Sequence, residues 1–450
     1  MTESAAGYSD TIAAIASGTG RAGIGVIRVS GSLAPSIAQQ ICGRLLPVRK
    51  ASYLPFRSAQ GLTLDNGIAL LFEAPDSFTG EHVLELQGHG GPVVLDMLMQ
   101  RVLQLGARPA NPGEFSERAF LNDKLDLAQA EAISDLIDSS SMAAAQAAVR
   151  SMSGEFSKHV ATIQEELIAL RVWLEAALDF SEEEIDFLAE SALQERTESL
   201  LENFDSLMSR AEQGQRLRDG LTIVIAGVTN AGKSSLLNAL SGTDSAIVTD
   251  IEGTTRDVLR EEINLDGVPV HIVDTAGLRL TDDRVEQEGI RRAKEQIDQA
   301  DHVLIIVDAN KPAMPEQELP ADLGCTVVLN KVDLVSDDTL KCLQREFSTT
   351  IAVSAKQGTG LDTLRERLLS LAGHDSAIEG VYSARRRHLD ALSNARVATD
   401  AALQRLRDSV MPELAAEELR LAQQSLDLIS GRFDNEDLLG RIFSDFCIGK

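Results

Sequence analysis

The sequence predicts a multidomain protein of the α/β plus all-α type. An N-terminal α/β domain precedes a helical domain, which is interrupted by an inserted, mostly parallel α/β domain with helices on both faces. Three observations predict it. The chain has 450 residues, which at roughly 100–200 residues per domain allows about two to four domains. Its texture changes twice and then reverts, from Gly- and Pro-punctuated apolar runs to helix, to strand–helix alternation, and back to helix. Large rings are scarce, with one Trp, three Tyr and thirteen Phe, so apolar contact falls to Leu, Ile, Val and Ala, which favours helices.

In residues 1–121 the runs GIGVIRVSG, GIALLFEAP and HVLELQGHGGP read as strands and turns, with a helix over Pro92–Leu105. Residues 122–216 read as the first half of a helical domain. The stretch LDLAQAEAISDLIDSSSMAAAQAAVRSM is free of Pro and spaces its apolar residues as a helix does. Within this region Glu182, Glu183 and Glu184 read as a solvated helix face or N-terminus. From 217 to 375, LTIVIAG, VPVHIVD, DHVLIIVD, CTVVLNKVD and TIAVSA alternate with helical segments, the pattern of a parallel sheet. Residues 376–450 return to helix. A helical region interrupted by a complete α/β domain and then resumed indicates insertion.

The net charge is −27, with 42 basic and 69 acidic side chains. That balance excludes a protein that coats nucleic acid with Lys and Arg over its whole surface, and a polybasic membrane-surface binder. Four cysteines, Cys42, Cys325, Cys342 and Cys447, show no CxxC spacing, so neither a zinc site nor a disulfide framework is indicated. No basic n-region precedes an apolar core at the N-terminus, and no run of 18 apolar residues occurs. The expectation is a cytoplasmic protein without signal peptide or membrane span.

The most specific motif is Gly227-Val-Thr-Asn-Ala-Gly-Lys-Ser234, which matches GxxxxGK[ST] after an apolar strand and before a helix. Its glycines let the backbone wrap phosphates, and the following helix N-terminus supplies donors. Lys233 is expected at the β/γ oxygens and Ser234 at Mg²⁺. Asp274-Thr-Ala-Gly277 ends a later strand and puts an acid near Mg²⁺ and the Gly277 amide near the γ-phosphate. Asn330-Lys-Val-Asp333 ends another, and an Asp there accepts from guanine N1 and N2, donors that adenine lacks. Ser354-Ala-Lys356 ends the last strand and can close over the base. GTP is therefore the predicted nucleotide.

Between the phosphate loop and Asp274 lies Thr249-Asp-Ile-Glu-Gly-Thr-Thr-Arg-Asp257, a segment of the switch type whose threonine holds Mg²⁺ while the γ-phosphate is present. The residue after Gly277 is Leu278, where Ras-type switches carry a Gln that orients water. Leucine cannot do so, and the charge on the transferring phosphoryl still needs a cation, either an arginine finger or a metal ion. Asn230 offers a side-chain carbonyl suited to K⁺. Glu286 could orient water, although its residue type and position alone read as a solvated helix residue.

GVTNAGKSSLLNAL, GTTRD, DTAGLR, NKVD and SAK resemble the bacterial GTPases activated by K⁺. PDSFTGEHVLELQGHGGP, NPGEFSERAFLNDKLDLAQAEAISDLID, ARRRHL, ELRLAQQSL and the terminal FCIGK resemble, more specifically, the MnmE (TrmE) family of bacterial tRNA-modification GTPases, in the same order over essentially the whole chain. The resemblance implies a homodimer built through an N-terminal domain that binds a 5-formyl-tetrahydrofolate-type carrier. It implies a helical domain carrying a Ras-like GTPase domain as an insert. It also implies an FAD-dependent partner, MnmG (GidA), in a heterotetramer or larger complex. Together they would place a carboxymethylaminomethyl or aminomethyl group on C5 of the wobble uridine, position 34, of certain tRNAs, with paired GTPase domains activating hydrolysis.

Matched residue by residue, the resemblance places GTP contacts at Asn230, Ala231, Gly232, Lys233, Ser234 and Ser235. Further contacts fall at Thr249, Asp250, Ile251, Glu252, Gly253, Thr254 and Thr255, at Asp274, Thr275, Ala276 and Gly277, at Asn330, Lys331 and Asp333, and at Ser354, Ala355 and Lys356. Mg²⁺ would be held by Ser234 and Thr255, and K⁺ by Asn230, Thr249, Ile251 and Thr254. The catalytic set would be Glu286, which now reads as the acid that orients water, with Lys233 and Asn230. Folate contacts would fall on Arg28, Glu85, Lys124 and Lys450, and Cys447 is a candidate functional thiol. The alternative reading is a GTP-regulated ribosome-assembly factor, yet no GXXG lies between two helical stretches as in a KH-type segment, and no basic tail is evident. A membrane-remodelling GTPase would need an amphipathic basic segment, which is not evident.

The acidity bears on the tRNA. Residues 161–220 carry 5 basic and 15 acidic side chains, whereas residues 381–450 carry 10 and 11, including Arg385, Arg386 and Arg387. The expectation is that tRNA docks mainly on the partner, with direct contact limited to a local basic patch.

Overall fold

The computed structural model describes residues 10–18, 20–139, 141–179, 187–241, 260–265, 268–274, 300–314, 323–347, 350–371, 380–408, 412–431, 442, 443, 446 and 449. Period-two alternation builds the first sheet. Its strands are β1 (Ile12–Ile15), β2 (Ala22–Ser30), β3 (Ser52–Arg57), β4 (Thr63–Phe72), β5 (Val83–Gly90) and β6 (Arg108–Pro109), in the order β3-β4-β5-β2-β1-β6. All neighbours are antiparallel except β1 and β6. In β5, Leu84 and Leu86 are buried while Glu85, Gln87 and His89 point the other way, with His89 exposed.

The apolar face is covered by α1 (Ala34–Cys42) and α2 (Pro92–Gln104), whose Ile37, Ile41, Leu95, Leu98 and Val102 pack on Ile27, Val29, Phe56, Leu84 and Leu86. Helix α2 begins on Pro92, where proline's missing N–H costs no helical hydrogen bond. It is capped at Leu105, so the expected helix forms. A short α3 (Glu114–Leu121) follows.

The Pro-free stretch then folds as α4 (Leu127–Asp138), α5 (Met142–Met152), α6 (Glu155–Asp179) and α7 (Phe187–Asp219). Gly220, at φ +74°, ends α7 and turns the chain directly into the second sheet. There β7 (Leu221–Ala226), β8 (Arg260–Leu265), β9 (Val268–Asp274), β10 (His302–Asp308), β11 (Cys325–Asn330) and β12 (Thr350–Val353) take the order β12-β11-β10-β7-β9-β8. All pairs are parallel except β8 with β9. Ile223 and Ile225 of β7 face a core shared with α8 (Lys233–Ser241) and α10 (Leu361–Leu371). Val224 and Ala226 face the opposite core, closed by α9 (Asp337–Glu346). This sheet is therefore covered on both faces, as parallel sheets require. The chain ends in α11 (Arg386–Asp408) and α12 (Pro412–Ser430), and α12 packs along α6 through Arg171–Gln423 (2.8 Å) and Gln164–Asp427.

The chain forms two compact units. One comprises Met1–Ser134, Met152–Ile185 and Val397–Lys450, and the other Asp135–Ser151 and Asp186–Arg396. The helical residues are thus shared between them. Among the described residues no helix is long and apolar enough to cross a membrane.

Candidate functional site

Parallel register brings the nucleotide motifs to one edge. Asp308 pairs with Asn330, Asn330 with Val353, Ile305 with Ala226, and Ile225 with Asp274. The phosphate loop, Asp274, Asn330 and Ser354 therefore all stand at the carboxyl ends of their strands, where open α/β sheets hold ligands. The loop from Gly227 to Gly232 joins β7 to α8. Two of its residues are left-handed, Asn230 at φ +68° and Gly232 at φ +95°. A Cβ at Gly232 would lie 2.3 Å from the Asn330 Nδ2, so only glycine fits there. Lys233, the first residue of α8, folds back and donates from Nζ to the Gly227 carbonyl at 3.1 Å. Asn230, Ser234 and Ser235 are exposed.

The base-recognition segment is interlocked with this loop. Asn330 is buried; its Nδ2 donates to the Ala231 carbonyl (3.1 Å), and its Oδ1 accepts from the Lys331 (2.8 Å) and Ala355 (3.2 Å) amides. Asp333 Oδ1 accepts from Ser354 Oγ at 2.6 Å, which aims one carboxylate oxygen and leaves the other for a ligand. Ser354 is itself fixed, its N–H donating to the Thr359 carbonyl at 2.9 Å. Lys356 follows Ala355 at the same edge. The donor and acceptor set fits a guanine nucleotide.

Asp308 belongs to none of the predicted nucleotide motifs. It ends the apolar strand β10, and its Oδ2 accepts from Lys331 Nζ at 2.6 Å. Burial alone would raise this carboxyl, but the Lys331 ammonium and the Asn310 amide outweigh it and hold it below the ordinary carboxylate range. The available signal was an acid at the carboxyl end of a strand adjacent to β7.

In the other unit, Arg28 and Glu85 meet as direct register partners across β2 and β5, with Nη2–Oε1 at 2.9 Å and Nε–Oε1 at 3.1 Å. They lie on the sheet face that α1 and α2 leave open. The Arg28 guanidinium sits 5.6 Å from the centre of the Phe78 ring and 5.9 Å from that of Phe115. Lys124, just after α3, reaches the loop that carries Phe78, its Cε 3.2 Å from where a Gly80 Cβ would be. It also lines a cavity of about 680 Å³ with Lys158, Gln164 and Gly431. Gly449 approaches β1, the neighbour of β2, with its ideal Cβ 2.5 Å from the Ile15 carbonyl.

Behind this face lies an ionic network that no motif announced. Arg118 is fully buried and pairs with Asp10 (2.7 Å), Glu81 (2.9 Å) and Glu114 (3.4 Å). Arg108 adds pairs to Asp10 (2.6 Å) and to Glu114. Burial alone would raise Asp10 and Glu114, yet the hydrogen bonds and charges of the arginines hold both carboxyls below their ordinary values.

Glu182, Glu183, Glu184, Thr249, Asp250, Ile251, Glu252, Gly253, Thr254, Thr255, Thr275, Ala276, Gly277, Leu278, Glu286, Cys447 and Lys450 lie outside the described residues, as does the side chain of Asp274.

Family models match almost end to end: "GTP-binding protein TrmE N-terminus" over residues 11–124 and "MnmE helical domain" over residues 127–447. A curated relative from Aeromonas salmonicida (strain A449), a tRNA modification GTPase MnmE, is 55% identical over 98% of this chain and 100% of its own length. The protein of the same name from Vibrio cholerae serotype O1 (strain O395) is 54% identical with the same coverage. Among solved structures, a point variant of Aquifex aeolicus Era bound to GDP·AlF4⁻ aligns over 39% of this chain and 66% of that one, at 25% identity and a TM-score of 0.28. On the two family models and the full-length relatives, the chain belongs to the MnmE (TrmE) family.

Proposed function

We propose that this chain is a K⁺-activated GTP hydrolase that takes part in tRNA modification. It works in the cytoplasm as a homodimer with the FAD-dependent MnmG (GidA), in a heterotetramer or larger complex. Together they add a carboxymethylaminomethyl or aminomethyl group to C5 of uridine 34 in certain tRNAs, using a tetrahydrofolate one-carbon donor. The tRNA docks mainly on the partner. The observation that supports this reading most is the interlocked guanine-nucleotide site in a chain that aligns with tRNA modification GTPases over 98% of its length.

The residues divide the work. Asp333, aimed by Ser354, accepts from the guanine N1 and N2 donors. Lys233 exchanges its Gly227 carbonyl for phosphate oxygens. Ser234 and Thr255 would hold Mg²⁺, while Asn230, the Thr249 and Ile251 carbonyls, and Thr254 would hold K⁺. The described members, the exposed Ser234 hydroxyl and the Asn230 amide oxygen, are hard oxygen donors of the class these cations take. When bound, the two cations supply positive charge opposite the phosphates. Glu286 orients the attacking water, a task closed to Leu278. Arg28 and Glu85, on the open sheet face, take the folate-type carrier together with Lys124 and Lys450, and Cys447 is a candidate functional thiol. Residues 1–121, 217–375 and the two helical halves, 122–216 and 376–450, act as the functional divisions of the chain.

Mass spectrometry of tRNA nucleosides tests the assignment. A strain lacking this chain should lose the modified wobble uridine and regain it with the wild-type chain; unchanged nucleosides would overturn the reading. Replacing K⁺ by Na⁺ should slow GTP hydrolysis, and an equal rate would remove the K⁺ assignment. Arg28→Ala should abolish binding of 5-formyl-tetrahydrofolate while GTP affinity stays at wild-type level.

A further inference from the structure

We infer that Asp308 is a positioning residue for the nucleotide site, holding Lys331 where that side chain ties the guanine-recognition segment to the phosphate loop, and so setting how long a guanine nucleotide stays bound. The inference rests on the reading of this edge as a GTP site.

Lys331 carries a compact charge on a flexible stem, and such a side chain keeps one position only when its donors are engaged. Two of its three ammonium hydrogens are engaged here. One goes to Asp308 Oδ2 at 2.6 Å and one to the Asn230 carbonyl at 2.7 Å, in the phosphate loop. The backbone aims the stem: Lys331 is left-handed at φ +61°, and its Cε lies 3.7 Å from where a Gly232 Cβ would stand. Asp308 is fixed in turn, its Oδ1 accepting from the Asn310 amide at 2.9 Å. Its strand is locked to β11 beyond their last register pair by the Ala309 N–H donating to the Asn330 carbonyl at 2.9 Å.

Val303 to Val307 of β10 are buried and apolar, so the charge at position 308 is not needed to make the strand. What it does is anchor a cation that is only partly covered, with a third of the Lys331 side chain exposed. A Lys331 without the Asp308 carboxylate would keep the neutral Asn230 carbonyl as acceptor and lose its ion pair. The buried Asn330 amide would then be the firmly held side-chain tie between the phosphate loop and the base segment, beside a Lys331–Asn230 bond that has lost its anchor.

The experiment is release of N-methylanthraniloyl-GDP from the full-length chain into excess unlabelled GDP, for wild type, Asp308→Asn and Asp308→Glu. Asp308→Asn should release about tenfold faster, the effect of replacing the anionic acceptor of the Lys331 bond by a neutral amide oxygen. Asp308→Glu should stay within about threefold of wild type, because the carboxylate is kept. The nucleotide-free melting temperature of each should move by less than about 3 °C, and the KM for GTP of Asp308→Asn should rise by more than its kcat falls. Wild-type release from Asp308→Asn overturns the inference. So does equal acceleration in both variants together with a lowered nucleotide-free melting temperature, which would make the residue a strand support. A wild-type chain that binds no labelled GDP would instead remove the GTP-site reading on which the inference stands.

Discussion

The two sheets use charge in opposite ways. In the parallel sheet, covered on both faces, the described polar groups of the candidate nucleotide site stand at the strand ends: the phosphate loop after β7, Asp308, Asn330 and Ser354. In the first sheet, α1 and α2 cover one face and the short α3 reaches the other through Phe115, and there charge lies across the strands, as Arg28 meets Glu85 side by side with the Phe78 and Phe115 rings nearby. The lesson is that helix coverage decides where a site can form. A sheet buried on both sides has only its edge left, whereas one whose second face is covered in part can offer the rest of that face.

Charge in the first unit should carry fold stability and charge in the second should carry nucleotide chemistry. Arg118→Ala leaves Asp10, Glu81 and Glu114 without their shared buried cation. It should cost about 3–5 kcal/mol of that unit's stability, read by denaturant unfolding, with GTP affinity unchanged; an altered GTP affinity would break the separation. Lys233→Ala should do the reverse, lowering GTP hydrolysis by roughly 100-fold or more with no change in unfolding midpoint. Phosphate release against time checks the first and a thermal melt the second.

A smaller effect sharpens the edge side of the comparison. Ser354→Ala frees the Asp333 oxygen it holds and should weaken GTP binding by about two- to tenfold, measured by titration calorimetry. The smallest effect is on acid stability. Asp10 and Glu114 have depressed carboxyls, so their contribution is complete above the ordinary carboxylate values, about 3.9 and 4.3, and is lost as pH falls toward the lower folded ones. Melting temperature should therefore be flat from pH 7 to about 5 and fall below that, and the fall should flatten in Arg108→Ala. A steep loss above pH 6 would assign the sensitivity to other groups.

The nucleotide edge was legible because its residues come in contiguous runs, 227–234, 330–333 and 354–356, each behind an apolar strand. Local order carries such a site. The first sheet was harder, since Arg28 and Glu85 lie 57 residues apart and meet only through antiparallel register. Nothing in the sequence around Arg118 marks it as buried, and its burial follows from three acids that reach it from residues 10, 81 and 114. Asp308 was hidden for another reason. A strand ending in an acid is unremarked until its neighbour in register, Asn330, is seen to be followed by Lys331. The sharing of helical segments between the two units was likewise illegible, because periodicity identifies a helix without naming its packing partner.

Gly220 has a mechanical consequence. It is a single left-handed residue between the 33-residue α7 and the strand that leads into the phosphate loop. At 1.5 Å per residue α7 is about 50 Å long. A tilt of about 5° at that one residue would therefore carry its far end about 4 Å. The joint has little play, for a Cβ at Gly220 would lie 2.4 Å from the Pro269 carbonyl, and His271 of β9 hydrogen-bonds the Asp219 carbonyl at 3.1 Å. Strand β9 ends at Asp274, in the nucleotide edge. A joint this short and this tightly gripped ties the direction of the whole helix to the strand that carries the phosphate loop.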